Sequence, residues 1–145
     1  MALLTTAAGP MAARLGTRFG ARVPMIIGQL LMTTGLLAMS AVPSSVPTWW
    51  VMTLMIPIGA GGALAVTALT ALLLDSVPAE RAGIASSVLN TSRQIGGALA
   101  VAAFGALVAG SAGFVSGLHA SLLIAAAAVA ATVLATLLLN PTQSA

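Results

Sequence analysis

Residues 78–110 read PAERAGIASSVLNTSRQIGGALAVAAFGALVAG, and this stretch decides the fold. Its first part holds Glu80, Arg81 and Arg93, three of the few charges in the chain. Its second part is a run of small apolar residues long enough to enter a bilayer. Asn90, Arg93, Gln94 and Gly97 recur at three- and four-residue steps, so a helix through this stretch carries them on one face. A polar face bearing a cation is costly in hydrocarbon, and such a face turns toward a protein interior or a water-filled path. These four residues are the first candidates for function.

Composition sets the surroundings of that face. Of 145 residues, 59% are hydrophobic and only 5% charged, with a mean hydropathy of +1.11. A soluble domain carries about 25% charged residues, so too few are present here to clothe a water-facing surface. An all-α membrane protein follows. The net charge of +3 comes from five arginines against Asp75 and Glu80. That excess is too small and too scattered to bind nucleic acid. Without cysteine, disulfides, thiolate metal sites and thiol catalysis are excluded. No nucleophile–base pair, metal cluster or cofactor motif is present either, so neither an enzyme nor a cofactor is expected.

Working outward, four spans are predicted, over residues 24–42, 49–74, 82–110 and 118–139. Residues 1–13 are apolar, lack a basic start and are interrupted by Gly9-Pro10. They read as the tail of a spanning helix that begins upstream, with a short interfacial helix as the alternative. Residues 14–22 hold Arg14, Arg18 and Arg22, the mark of a cytoplasmic loop. In the first span, Gln29 is the most polar residue, of the kind that bonds a neighbouring helix. In the second, Trp49 and Trp50 fit an interfacial aromatic belt. Pro57 then meets Gly59, Gly61 and Gly62, which predicts a kink or a very close helix crossing. Two small-residue stripes at four-residue spacing are expected to pack: Gly59, Ala63, Thr67 and Ala71, then Ala98, Ala102, Ala106 and Gly110. Asp75 or Ser76 is expected to cap the following helix, with Pro78 in its first turn and Glu80 near its positive end. A lone His119 at the edge of the last span reads as interfacial.

At the level of motif, ARLGTRFGAR (13–22) resembles the cytoplasmic loop motif of the major facilitator superfamily, G-x-L-A-D-R-x-G-x-R. Leu15, Arg18, Gly20 and Arg22 match. Ala13 stands for the family's Gly and Thr17 for its Asp, as in the degraded second copy of that motif. VPAERAGIASSVLNTSRQIGGALA (77–100) is similar to the loop and penultimate helix of the fourteen-helix drug:proton antiporter branch. The resemblance places the chain as part of the C-terminal half of a facilitator fold, namely its last four helices and the end of a fifth. It implies alternating-access efflux of a small hydrophobic or cationic substrate, exchanged for protons. It also implies partners in the lipid bilayer and in the missing N-terminal helices, and residence in the inner (plasma) membrane. Arg93, Asn90, Gln94 and Gly97 then become candidates for the substrate path. Pro57, Gly59, Gly61 and Gly62 become a hinge or a packing site.

Two other classes share this composition: a four-helix membrane assembly protein and a small homodimeric multidrug pump. The pump requires a membrane-embedded carboxylate, whereas Asp75 and Glu80 are expected in a loop. Arginine asymmetry puts residues 14–22 and 75–81 on the cytoplasmic side, together with both ends of the chain. Reporter fusions at Ser45, Pro78, Gly113 and Ala145 should alternate outside, inside, outside, inside. A cytoplasmic signal at Ser45 would reverse the assignment.

Overall fold

Long apolar runs leave the backbone one way to satisfy itself in hydrocarbon, by intrahelical hydrogen bonds. A computed structural model of the chain describes residues 16, 18, 20, 22–43, 46–110 and 113–138. Its helices are α1 (Arg22–Ser40), α2 (Thr48–Asp75), α3 (Ala82–Ala109) and α4 (Phe114–Leu138), with a 3-10 turn at Ala79–Arg81 leading into α3. All four are long and apolar enough to cross a membrane. The connections are short, so successive helices run antiparallel. The starts of α1 and α3 therefore share one end of the bundle with the ends of α2 and α4.

α1 is the central helix. It packs against α2 on one side and α4 on the other, while α3 lies against α4 and touches α2 only lightly. The buried apolar residues follow that arrangement: Leu36 on α1, Leu64 and Ala68 on α2, Ala126 and Val133 on α4.

Glycine sets how close α1 and α2 come. A methyl group added at Gly28 would lie 2.6 Å from the Gly61 carbonyl oxygen and 2.7 Å from the Ala65 nitrogen. One added at Gly61 would lie 2.5 Å from the Gly28 carbonyl oxygen and 2.8 Å from the Met32 nitrogen. The two backbones are thus in mutual contact. Seven residues further along α1, the absent side chain of Gly35 admits Ile58, whose Cγ1 would meet an added methyl at 2.6 Å. At the other seam, Gly117 of α4 sits against the Leu107 carbonyl and the Val108 Cα of α3.

Several expectations are corrected here. α4 begins at Phe114, four residues before Leu118, because 114–117 holds no residue that breaks a helix and its glycine is needed against α3. That puts His119 in the second turn. Neither Asp75 nor Ser76 caps the next helix. Asp75 is the last residue of α2, and the Ser76 hydroxyl donates back to the Leu73 carbonyl at 2.8 Å. Pro78 occupies the cap of the 3-10 turn without a side-chain bond. The expected stripes also miss their partners. Thr67 and Ala71 are exposed, as are Ala98, Ala102, Ala106 and Gly110, and the buried line of α2 runs through Gly61, Leu64 and Ala68. Four-residue spacing identifies a face of small residues, but which face is covered depends on where the neighbouring helix lies.

Replacing Gly61 with Ala drives a methyl into backbone, which cannot swing aside. Such overpacking costs about 1–3 kcal/mol, so Gly61→Ala should lower the stability of the purified protein in a detergent-denaturation titration. Gly96→Ala, where nothing lies within 4 Å of the added methyl, should leave stability unchanged or raise it by up to about 1 kcal/mol through helix propensity.

Candidate functional site

The face singled out in residues 78–110 lies on α3, and no residue of that helix is buried. Asn90, Arg93, Gln94 and Gly97 are all exposed. A methyl added at Gly97 would meet nothing within 4 Å. Arg93 is eleven residues past the start of α3, about 16 Å along the helix at 1.5 Å per residue. Among the described residues no carboxylate stands beside it: Asp75 ends α2 and Glu80 lies in the 3-10 turn. Val88, Ile95 and Leu99 project from the opposite side, 60%, 57% and 66% exposed. The half-buried residues Leu89, Ala100 and Phe104 stand four, seven and eleven residues from Arg93, so they lie on its side of the helix, the side toward the bundle. α3 thus offers one polar and one apolar surface, both uncovered by the other three helices.

The interior holds a second polar position. Gln29 is 7% exposed, on the side of α1 that meets α4. Its Nε2 donates to the Thr132 hydroxyl at 3.2 Å, and that hydroxyl donates to the Val129 carbonyl at 2.6 Å. The interhelical role expected of Gln29 is therefore found, with Thr132 as the partner. Sequence reasoning did not find that the Gln29 Oε1 is buried without a hydrogen-bond partner among the described residues. One-dimensional spacing carries no signal for that. Thr33 and Ser121 bond back to the carbonyls of Gln29 and Gly117 on their own helices, so they take no part in joining helices.

The remaining candidates fall at helix starts and crossings. Gly20 adopts φ +80°, a left-handed conformation that glycine tolerates, and its carbonyl accepts the Val23 N–H at 3.3 Å. This bend feeds Arg22 into the first turn of α1, while Arg18 is exposed; Leu15 lies outside the described residues. Pro57 is carried within α2, whose helix continues past it. Gly59 is half-buried, Gly61 makes the crossing with Gly28, and Gly62 approaches the Met32 sulfur, 3.9 Å from where its methyl would be. The structure does not bring the α3 face and the Pro57–Gly62 segment together into one site.

A family model for the Major Facilitator Superfamily matches residues 1–145. The chain belongs to the major facilitator superfamily. As a member with four membrane-length helices among its described residues, it is a multi-pass membrane protein of a family that moves small substrates across bilayers. It is 35% identical over 100 residues to a Mycobacterium tuberculosis protein named Multidrug resistance protein Stp, covering 69% of this chain and 18% of that one. It is 29% identical over 109 residues to the Tetracenomycin C resistance and export protein of Streptomyces glaucescens, covering 72% and 19%. It is 32% identical over 96 residues to the Methylenomycin A resistance protein of Streptomyces coelicolor, covering 66% and 20%. The chain thus aligns with about a fifth of the length of these relatives. No solved structure matches it.

For this facilitator segment, the Gln29–Thr132 contact yields a sharp expectation. Removing one partner leaves a buried amide wholly unpaired, whereas removing both leaves apolar packing. Thr132→Val should therefore destabilise the bundle by about 1–3 kcal/mol. The double variant Gln29→Leu/Thr132→Val should recover most of that loss, measured by denaturant titration in mixed micelles.

Proposed function

We propose that the chain serves as part of the C-terminal helix bundle of a proton-coupled efflux antiporter for small molecules. In this reading the Asn90–Arg93–Gln94–Gly97 face of α3 lines the substrate path. The observation that carries it is the uncovered polar face itself. An arginine in mid-membrane costs about 2.5–3.5 kcal/mol on insertion scales, and α1, α2 and α4 do nothing to shelter it. A water-filled path between two halves of a transporter removes that cost and gives the cation a use. The printed names of the relatives, which speak of multidrug resistance, antibiotic resistance and export, support export as the direction and small molecules as the cargo.

The remaining roles follow from this reading. Missing upstream helices supply the opposite wall of the path, since facilitator-type transporters rock two halves around a central site. The substrate is a small hydrophobic or cationic compound, and protons provide the driving force. No carboxylate lies within a span among the described residues except Asp75 at the end of α2, so proton-coupling groups are supplied elsewhere in the transporter. The segment sits in the inner (plasma) membrane with the Arg22 and Glu80 end cytoplasmic, by the arginine rule. Gly28 and Gly61 hold α1 and α2 as one rigid unit, and Pro57 with Gly59 is where α2 bends if it moves during the cycle.

The test is a chimera in which this chain replaces the matching segment of the M. tuberculosis relative, assayed for energised dye efflux. Arg93→Ala should cut export about tenfold, equivalent to about 1.4 kcal/mol of lost stabilisation, with the amount of inserted protein unchanged. Normal export by that variant would return Arg93 to a purely structural role at the interface.

A further inference from the structure

At the end of the bundle opposite Arg22 and Glu80, the last turn of α1, the connection to α2 and the first turns of α2 and α4 enclose a pocket of about 260 Å³. Its wall is hydrocarbon, with Met39, Val46, Val51, Phe114, Leu118 and Leu122 among the lining residues; the one ionisable group there is His119. Trp49 and Trp50 stand beside it on α2, their rings stacked at 5.0 Å and both exposed. Paired exposed tryptophans mark the depth of a membrane–water interface. His119 lies five residues into α4, about 7.5 Å along the helix, and Leu122 lies one turn deeper.

We propose that this pocket binds the upper part of one acyl chain of a bilayer lipid, whose ester oxygen accepts a hydrogen bond from the His119 imidazole. Three features select that occupant. The pocket falls below the roughly 300–1,000 Å³ of sites for drug-sized ligands, so a slender chain fits better than a ring system. Its wall offers a single polar group, so a sugar, a nucleotide or a free anion would be left with unmet hydrogen bonds. The depth marked by the tryptophans is where a lipid changes from ester to hydrocarbon, which is the same order in which His119 and Leu122 line the pocket. The lipid then fills the gap between α1 and α4 at this end, where the Gly117 contact ties α4 to α3 and not to α1. Nothing in this site depends on the efflux reading or on the face of α3.

The experiment uses the chain in nanodiscs of phosphatidylcholine doped with a phosphatidylcholine carrying a diazirine near the ester end of one acyl chain. Photolysis and peptide mass mapping should place label on Met39, Leu118 and Leu122 about fivefold above Leu123 and Ile124, which lie at similar depth on the exposed side of α4. His119→Ala should reduce that excess about fivefold, the worth of one ordinary hydrogen bond, and His119→Gln, which keeps a donor, should retain most of it. Leu118→Trp, which fills the pocket, should abolish the excess while Ile124→Trp leaves it intact, with helicity by circular dichroism equal in both. Equal labelling of lining and exposed positions would overturn the proposal. So would an excess indifferent to both Leu118→Trp and His119→Ala.

Discussion

The backbone contact between Gly28 and Gly61 is the constraint on which the rest of the bundle depends. Lipid tails are as apolar as leucine, so hydrocarbon gives helices no hydrophobic reason to associate, and close packing must supply the attraction. Two glycines facing each other let α1 and α2 meet at the level of their main chains, with Leu64 buried beside them. Gly35 repeats the device by admitting Ile58. With one side of α1 committed to α2, its other side is left for α4, where Gln29 and Thr132 form the polar link. α3 is then attached through the close contact of Gly117 with Leu107 and Val108, and it keeps two uncovered faces.

This asymmetry relates structure to function. Three helices form a scaffold whose interior is occupied by glycine contacts and one amide. The fourth displays its most polar residues where nothing in the segment shelters them. In the proposed reading, a helix with Asn90, Arg93 and Gln94 on one side and Val88, Ile95 and Leu99 on the other separates water or protein from lipid across its own width. In that same reading, the rest of a transporter about five times longer than the aligned segment gives such a helix an environment in which both faces are used.

Much of this was legible in the sequence. Four spans follow from composition and from the breaks in sequence at Pro43–Pro47, with its two prolines, and at Ser111–Gly117, rich in Gly and Ser, because the demand for internal hydrogen bonding in hydrocarbon leaves no alternative to helix. The α3 polar face followed from three- and four-residue spacing. Helix pairing was less legible. Gly61 falls in the predicted crossing, but the four-residue stripe through Gly59 points away from α1, and no spacing pattern singles out Gly28, Gly35 or Gly117. Spacing tells which residues share a face, whereas the identity of the facing helix depends on long-range contacts that one-dimensional periodicity does not encode. The Asp75 and Ser76 caps failed for a related reason. A 3-10 turn opened by Pro78 intervenes between α2 and α3, so the residues nearest in sequence are not at the next helix's first free N–H groups. The orphaned Gln29 Oε1 depends on the position of a single atom and left no trace in the sequence.

The central claim is that the Asn90–Gly97 side of α3 borders water and the Val88–Leu99 side does not. The chain has no cysteine, so single cysteines can be placed at Asn90, Gln94 and Gly97, and at Val88, Ile95 and Leu99, within the chimeric transporter once any cysteines of the relative are replaced. Reaction with a membrane-impermeant thiol reagent in energised cells reads water access position by position. The account predicts modification at 90, 94 and 97, slowed by bound substrate, and none at 88, 95 and 99. Modification of both faces alike, or of 88, 95 and 99 alone, would contradict it.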